Sequence, residues 1–380
     1  MENVVDVLIV GAGISGLTTA LGLHRLGIRS LVLESSDDLR ITGFALSLWT
    51  NGWKALDAVG IGDSLRQIHD QLEGIITTSM ISGRKTSELL FSAPEERGVR
   101  CVRRKFLLEF LAKELPIGTI KFSSKVVSIE ESGLLKLVHL ADGTSIKTKV
   151  LIGCDGVNSV VAKWLGFKAP AFTGRYAVRG CLELKSSHGF EPKMSQFVGE
   201  GVRAGIIPCN DKTLYWFFTW TPSAEEIEMS ENPAKLKQLV LSKLGEMPGE
   251  ARAVIEETDA MCVWLVMRCT NETPDLGQVG VLLLEDGVVL ARCIAEALLK
   301  KPSSPEEEVL LLEMGLRKYA AERKWRSIDL IGTAYMVGRL QQSSGVFAKF
   351  FRDKILSHFL VGLLLGRTNF DCGKLDPSSL

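Results

Sequence analysis

The 380-residue chain has no surplus of charge, with 45 Lys plus Arg against 45 Asp plus Glu. That balance gives no electrostatic footprint for a phosphate backbone or an anionic surface, so no nucleic acid is expected as a partner. Its eight cysteines (101, 154, 181, 209, 262, 269, 293 and 372) contain no C-x-x-C pair. Reduced thiols fit this scatter better than a disulfide framework or a zinc site, so no metal is expected. No repeat and no low-complexity linker interrupts the chain. The strongly apolar stretch Leu356 to Leu365 is too short to span a bilayer. It reads as a core helix, with peripheral membrane contact as the lesser alternative. The first strand begins by residue 4, which leaves no room for a cleaved leader, and a cytoplasmic protein is expected. None of His24, His69, His139, His188 and His358 lies in an acid–base or metal motif.

What is present begins at the N-terminus. An apolar run (Val4, Val5, Val7, Leu8, Ile9, Val10) opens into Gly11-Ala12-Gly13-Ile14-Ser15-Gly16, followed by a helical pattern from Leu17 to Leu26 and a strand-like run from Arg29 to Glu34. This is a β-α-β unit with a G-x-G-x-x-G turn. In such a unit Gly11 permits the tight turn, Gly13 lets a pyrophosphate approach the backbone, and Gly16 lets the helix pack on the sheet. Ile14 and Ser15 lie in the turn before the helix, whose unpaired N-terminal N–H groups face the phosphates. Glu34 would take the ribose hydroxyls of an adenosine and repel a 2′-phosphate. The ligand at this point is FAD or NAD.

Further along, Gly74 to Ile81 and Ser87 to Phe91 read as a hairpin across Ser82-Gly83-Arg84. Arg103 to Leu115 has an amphipathic helical period that stops at Pro116, with arginines at 100, 103 and 104 near its start. A helix start is a poor place for cations, so these arginines either face solvent or serve an anionic ligand. Strands at 119–122, 126–131, 134–140 and 145–152 lead to Gly153-Cys154-Asp155-Gly156-Val157-Asn158-Ser159, where Asn158 or Ser159 can also cap the helix that follows. From Arg175 to Trp220 the pattern is that of an antiparallel sheet, with its aromatic residues concentrated in Tyr215-Trp216-Phe217-Phe218-Thr219-Trp220. The remaining chain reads as helices at 285–299 and 305–323, then weaker ones.

In this order, the glycine turn, the hairpin, the Arg-headed helix and Gly-Cys-Asp-Gly-Val-Asn-Ser resemble the single-component FAD-dependent aromatic hydroxylases. The likeness is nearest to the plant salicylate-hydroxylase-like and zeaxanthin-epoxidase-like monooxygenases. The resemblance selects FAD over NAD. It implies an α/β fold, a doubly wound FAD-binding domain interleaved with a largely antiparallel substrate sheet and a helical C-terminus. The implied division is FAD-binding domain at 1–72, 100–174 and 261–300, substrate domain at 73–99 and 175–260, and a helical region at 301–380. It also places Gly11, Gly13, Gly16 and Glu34 on the ADP half of FAD, and Arg104, with Arg103 beside it, toward the pyrophosphate. Arg40 would face the flavin, and Asp155 with Gly156 would serve both FAD and the NADH or NADPH that reduces it. The implied chemistry is addition of O2 at flavin C4a and transfer of one oxygen to a small aromatic or olefinic substrate.

The third family motif is incomplete. Thr273-Pro274-Asp275-Leu276-Gly277-Gln278 matches its back half, with Pro274 and Gly277 nearest the reactive flavin edge and Gly277 and Gln278 on the cofactor. Its Gly-Asp is absent, with Val266 and Met267 in its place, and Val279 replaces a glycine. The stretch before Pro274 is also several tens of residues short, and the missing part would carry a strand returning to the nucleotide domain. Loss of the aspartate's hydrogen bond to the flavin chain should cost about 1–3 kcal/mol. An impaired relative, truncated or alternatively spliced and acting as a binding protein, is therefore the alternative expectation.

Overall fold

A computed structural model describes residues 4–41, 45–91, 98–230, 232–259, 261–268, 276–300, 302–342 and 366–376. The chain opens with β1 (Val4–Val10), α1 (Ile14–Arg25) and β2 (Ser30–Leu33), then β3 (Ala45–Leu48), α2 (Thr50–Val59) and α3 (Gly62–Arg66). The hairpin β4 (Gly74–Ser79) and β5 (Lys85–Leu90) precedes β6 (Arg100–Arg103), α4 (Arg104–Lys113) and β7 (Ile120–Lys121). Next come β8 (Val126–Ser132), β9 (Leu135–Leu140), β10 (Ser145–Gly153) and α5 (Val160–Trp164). A second run holds β11 (Ala171–Glu183), β12 (Lys193–Val198), β13 (Val202–Asn210), β14 (Thr213–Trp220), α6 (Ala224–Ser230), α7 (Pro233–Ser242) and α8 (Gly249–Glu257). The chain continues through β15 (Met261–Arg268), α9 (Leu276–Leu298) and α10 (Pro305–Gln342).

Two sheets organise these elements. The first has the order β7-β2-β1-β10-β9-β8, with β1 parallel to both β2 and β10. The run Val7, Leu8, Ile9 is fully buried because helices cover one face and the β8–β9 meander with α5 packs on the other. The second sheet runs β15-β11-β14-β13-β12-β4-β5, and the early hairpin adds to it through a parallel β4–β12 pair. Strand alternation divides the aromatic run between its faces. Leu214, Trp216, Phe218 and Trp220 pack with α7 and α8, whereas Tyr215 and Phe217 point to the small antiparallel pair β3–β6 of the nucleotide-binding half.

The expected fold class and hairpin are observed; three elements differ in extent, the first being the helix expected from 285, which begins at Leu276. The helix expected to end near Arg323 continues to Gln342, because no proline follows Pro305 in it. The strand at 119–122 forms a ladder only over Ile120–Lys121. On its outer edge, β10 pairs with β9 over Ser145–Thr148 alone, so among the described residues Val150–Gly153 has a strand neighbour only in β1. The stretch at 261–268 is a strand, as its residues suggest, and pairs with β11 in the second sheet. Pro274 and the apolar stretch 356–365 lie outside the described residues.

Candidate FAD site

The glycine turn is built by close approach. Gly11 has φ +102°, and a Cβ there would lie 2.4 Å from the Cys154 carbonyl oxygen. A Cβ on Gly16 would lie 2.0 Å from the Gly11 carbonyl oxygen. No such contact surrounds Gly13, where an added Cβ meets open space. Gly13 is the N-cap of α1 without a side-chain cap, and the first turn of that helix holds no acid. The N–H groups of Ile14, Ser15 and Gly16 are thus presented at the positive end of a helix dipole beside empty volume. This arrangement fits a pyrophosphate. Ile14 itself is buried, and the Ser15 hydroxyl accepts a long bond from the Cys154 thiol at 3.6 Å.

Glu34 stands at the end of β2, 5% exposed. Its Oε2 accepts from the Ala12 N–H at 3.0 Å, and its Oε1 from the Ser36 N–H at 2.9 Å and the Ser35 hydroxyl at 3.2 Å. Burial pushes this carboxyl up, but the donors from Ser36, Ala12 and Ser35 and the charge of Arg40 outweigh it and hold the group below its ordinary range. An ionised acid at this position accepts hydroxyl protons and repels an added phosphate. Arg40 reaches Glu34 at 3.5 Å and Ser35 at 3.2 Å, and the Arg104 guanidinium donates to the Arg40 carbonyl. Burial and the nearby Arg40 charge lower the Arg104 pKa, with Glu34 opposing. Glu34, Arg40 and Arg104, read separately from sequence, thus converge at the end of β2.

The other arginines do not join them. Arg103 pairs with Glu183 and lies 5.0 Å from the Phe106 ring; Glu183, together with Asp70 and Asp211, lines a cleft of about 440 Å³. Arg100 does not face solvent. It is buried in β6, donates to the His69 and Gly98 carbonyls and covers Trp53 at 5.5 Å. Arg100 belongs to the strand before the helix and so lies outside the first helical turn where the dipole acts.

Asp155 folds back on its own chain. It accepts from the Ser159 hydroxyl at 2.6 Å and the Val160 N–H at 2.7 Å, while Ser159 caps α5 through the Ala162 N–H at 2.8 Å. The capping reading of Ser159 therefore holds, and the Asp155 carboxylate shapes the loop at the C-terminal end of β10. Gly156 supplies the left-handed residue of that loop at φ +79°. Gly277 and Gln278 lie in the first turn of α9. Buried thiols stay protonated: burial pushes Cys154 up to about 11 and Cys372 up to about 12.

His69 carried no sequence signal, yet it locks the start of α4. Its Nδ1 faces the Leu65 carbonyl at 2.9 Å and its Nε2 accepts the Arg103 N–H at 3.0 Å. Only the neutral tautomer with the proton on Nδ1 satisfies both. Burial lowers its pKa from the model-peptide 6.5, with the Leu65 carbonyl opposing. The unfolded chain therefore binds this proton first, and stability drops as pH falls below about 6.5. Urea unfolding between pH 7.5 and 5.5 should show that slope, and it should flatten in a His69→Asn variant; an unchanged slope would assign it elsewhere.

The face of the second sheet that meets β3–β6 adds polar groups that the sequence reading passed over. Arg179 on β11 is in register with Phe217 on β14, and Arg203 on β13 is in register with Thr219 on the same strand. The Arg203 guanidinium lies 5.5 Å from the Phe217 ring. The strand alternation that puts Tyr215 and Phe217 on this face puts both arginines there too. All four of Arg179, Arg203, Phe217 and Thr219 are half-buried.

A family described as an FAD binding domain matches residues 4–263. Monooxygenase 2 of Arabidopsis thaliana is 50% identical, covering 99% of this chain and 99% of that protein. The chain belongs to the FAD-dependent aromatic monooxygenases. Its fold is that of the Klebsiella pneumoniae HpxO complex with FAD and uric acid, at TM-score 0.82 and 21% identity over 97% of this chain and 96% of that one. A salicylate hydroxylase substrate complex matches at TM-score 0.73 and 17% identity over 98% of each chain. The protein is thus a monooxygenase flavoprotein with FAD as its cofactor. Among the described residues, no helix is long and apolar enough to cross a membrane.

Proposed function

We propose that the protein uses NADH or NADPH and O2 to hydroxylate or epoxidise a small flat substrate that carries negative charge. The observation that carries this reading is Phe217 flanked by Arg179 and Arg203 on the sheet face turned toward the nucleotide-binding half. An aromatic ring offers a stacking surface, and two guanidiniums at its sides hold a carboxylate or enolate by charge-assisted bonds. The named ligands of the structural neighbours, uric acid and the substrate of a salicylate hydroxylase, suit such a surface.

In this reading Gly11, Gly13, Ile14, Ser15 and Gly16 present backbone N–H groups to the pyrophosphate, and Glu34 holds the adenosine ribose. Arg40 and Arg104 add positive charge at the end of β2. Asp155 and Gly156 shape the loop beside the glycine turn, and Gly277 and Gln278 bring the first turn of α9 to the cofactor. FAD supplies the oxygen chemistry, while these side chains bind, orient and exclude water. The test is an absorbance spectrum of protein titrated with FAD, followed by NADH and NADPH oxidation with a panel of aromatic acids. Substrate-stimulated oxidation of either nucleotide supports the reading, and protein that stays colourless with added FAD ends it. Replacing Arg179 or Arg203 by leucine should raise KM for an aromatic acid about tenfold or more and leave a neutral isostere nearly unchanged. Equal losses for both substrates would assign the arginines to packing.

A second reading, a relative with impaired turnover, is favoured by the shortened stretch before Pro274. The alignment with the Arabidopsis relative runs over 406 positions, more than the 380 residues of this chain. Val150–Gly153 of β10 also keeps an open outer edge among the described residues, where a returning strand could pair. Inserting the relative's segment should then raise FAD occupancy and nucleotide oxidation together. No gain on insertion would count against impairment.

A further inference from the structure

Helix α10 has a buried face of mixed character and, opposite it, an exposed apolar one. Leu312, Arg323, Leu330 and Thr333 are buried on one side, where a Cβ on Gly315 would touch the Cys293 carbonyl of α9 at 2.6 Å. On the other side Leu310 is 57% exposed, Met314 55%, Trp325 72% and Ile328 44%, with exposed Ala321 between them. At 100° per residue these five positions fall within about 60° of arc, a narrow seam about 27 Å long. Scattered exposed apolar side chains need no explanation, but an aligned set that includes a tryptophan left largely in water does.

The seam is self-complementary when turned end for end. A two-fold axis near Tyr319 sets Leu310 against Ile328, Met314 against Trp325, and Arg317 against Ala321. Charges follow the same axis. Glu306 and Glu307 are exposed just before the seam and Glu313 in its N-terminal half, Arg317 lies beside the axis and pairs with Glu313, and Lys324 is exposed in the C-terminal half. An antiparallel copy brings Glu313 opposite Lys324 twice, whereas a parallel copy stacks like on like. We propose that α10 is the contact of an isologous homodimer, two copies packed antiparallel along Leu310, Met314, Ala321, Trp325 and Ile328. A single helix pair has a small footprint for a specific interface, so the association is a weak one, with Kd on the order of 10 µM.

Sedimentation velocity of the FAD-saturated protein from about 1 to 200 µM tests this across that range. The expected result is a mass rising from monomer to dimer, with Trp325→Ser weakening association by about 100-fold because the side chain enters the contact twice. Glu313→Lys and Lys324→Glu should each weaken it about tenfold, and the double reversal should restore it. FAD absorbance must stay constant in all four variants, which separates loss of the contact from loss of the fold. A mass that stays monomeric throughout overturns the proposal. So does a dimer insensitive to Trp325→Ser, or a double reversal weaker than either single one.

Discussion

A Gly13→Asp variant is expected to keep its fold and lose FAD, with affinity falling by about two orders of magnitude or more. A side chain at Gly13 meets open space, and Gly13 is the uncapped N-cap of α1. Aspartate is a favoured N-cap, so the variant should melt at the same temperature or slightly higher. Its carboxylate would stand where the pyrophosphate docks. Two unit charges about 4 Å apart repel by about 4 kcal/mol at the effective dielectric of a protein surface, more than the roughly 2.7 kcal/mol that a hundredfold loss requires. Gly16→Ala separates the two effects from the other side. Its Cβ would collide with the Gly11 carbonyl at 2.0 Å, so this change should cost stability as well as flavin. Flavin fluorescence titration with thermal melts reads both. Full FAD affinity in Gly13→Asp would move the pyrophosphate away from this helix.

Local pattern made the first of these structures legible. The β1–α1–β2 unit lies in about thirty consecutive residues, so hydrophobic period and glycine spacing specify turn, helix and strand together. The aromatic sheet was legible as a sheet for the same reason. What its faces hold was not, since Arg179, Phe217 and Arg203 meet only after β11, β14 and β13 choose their register. His69 escaped for a similar reason, because its partner, the Arg103 N–H, is a backbone group 34 residues away. The arginines before α4 show the converse error. The helix dipole acts within the first turn of α4, and Arg100 lies on the strand side of that boundary. Helix α10 hid its exposed seam because Leu312 and Leu330 lie on the opposite side and the buried Arg323 and Thr333 dilute that side further, so no one-sided periodic signal remains.

The most distant convergence in the fold carries the largest expected stability effect. Glu285 on α9 is fully buried, and its Oε1 accepts from the Asn51 amide at 2.5 Å and from Arg326 at 3.0 Å. Its Oε2 accepts from Arg323 at 2.7 Å, and Arg323 also donates to Asp286 at 2.6 Å. Burial raises the Asp286 carboxyl although Arg323 opposes it, so one acid of the cluster is closer to neutral than usual. Both guanidiniums rest on the Phe370 ring, at 4.7 and 4.9 Å. The cluster ties α2, α9, α10 and the segment 366–376 together. Glu285→Leu would leave Arg323 and Arg326 buried without this carboxylate, and unfolding free energy should fall by about 3–5 kcal/mol. Lys105→Gln, which breaks an exposed pair at 3.9 Å, should change it by less than about 0.5 kcal/mol. Urea unfolding distinguishes the two, and a Glu285→Leu loss below about 1 kcal/mol would mean that apolar repacking replaces the ion cluster. The defect should also weaken flavin binding, because α9 holds α1 at close quarters. A Cβ on Gly22 would lie 2.7 Å from Ala291, and one on Gly287 would lie 2.9 Å from Thr18. Loosening α9 therefore loosens the helix whose N-terminus receives the pyrophosphate. Added FAD should return part of the loss by mass action, about 2.7 kcal/mol at a hundred times its Kd.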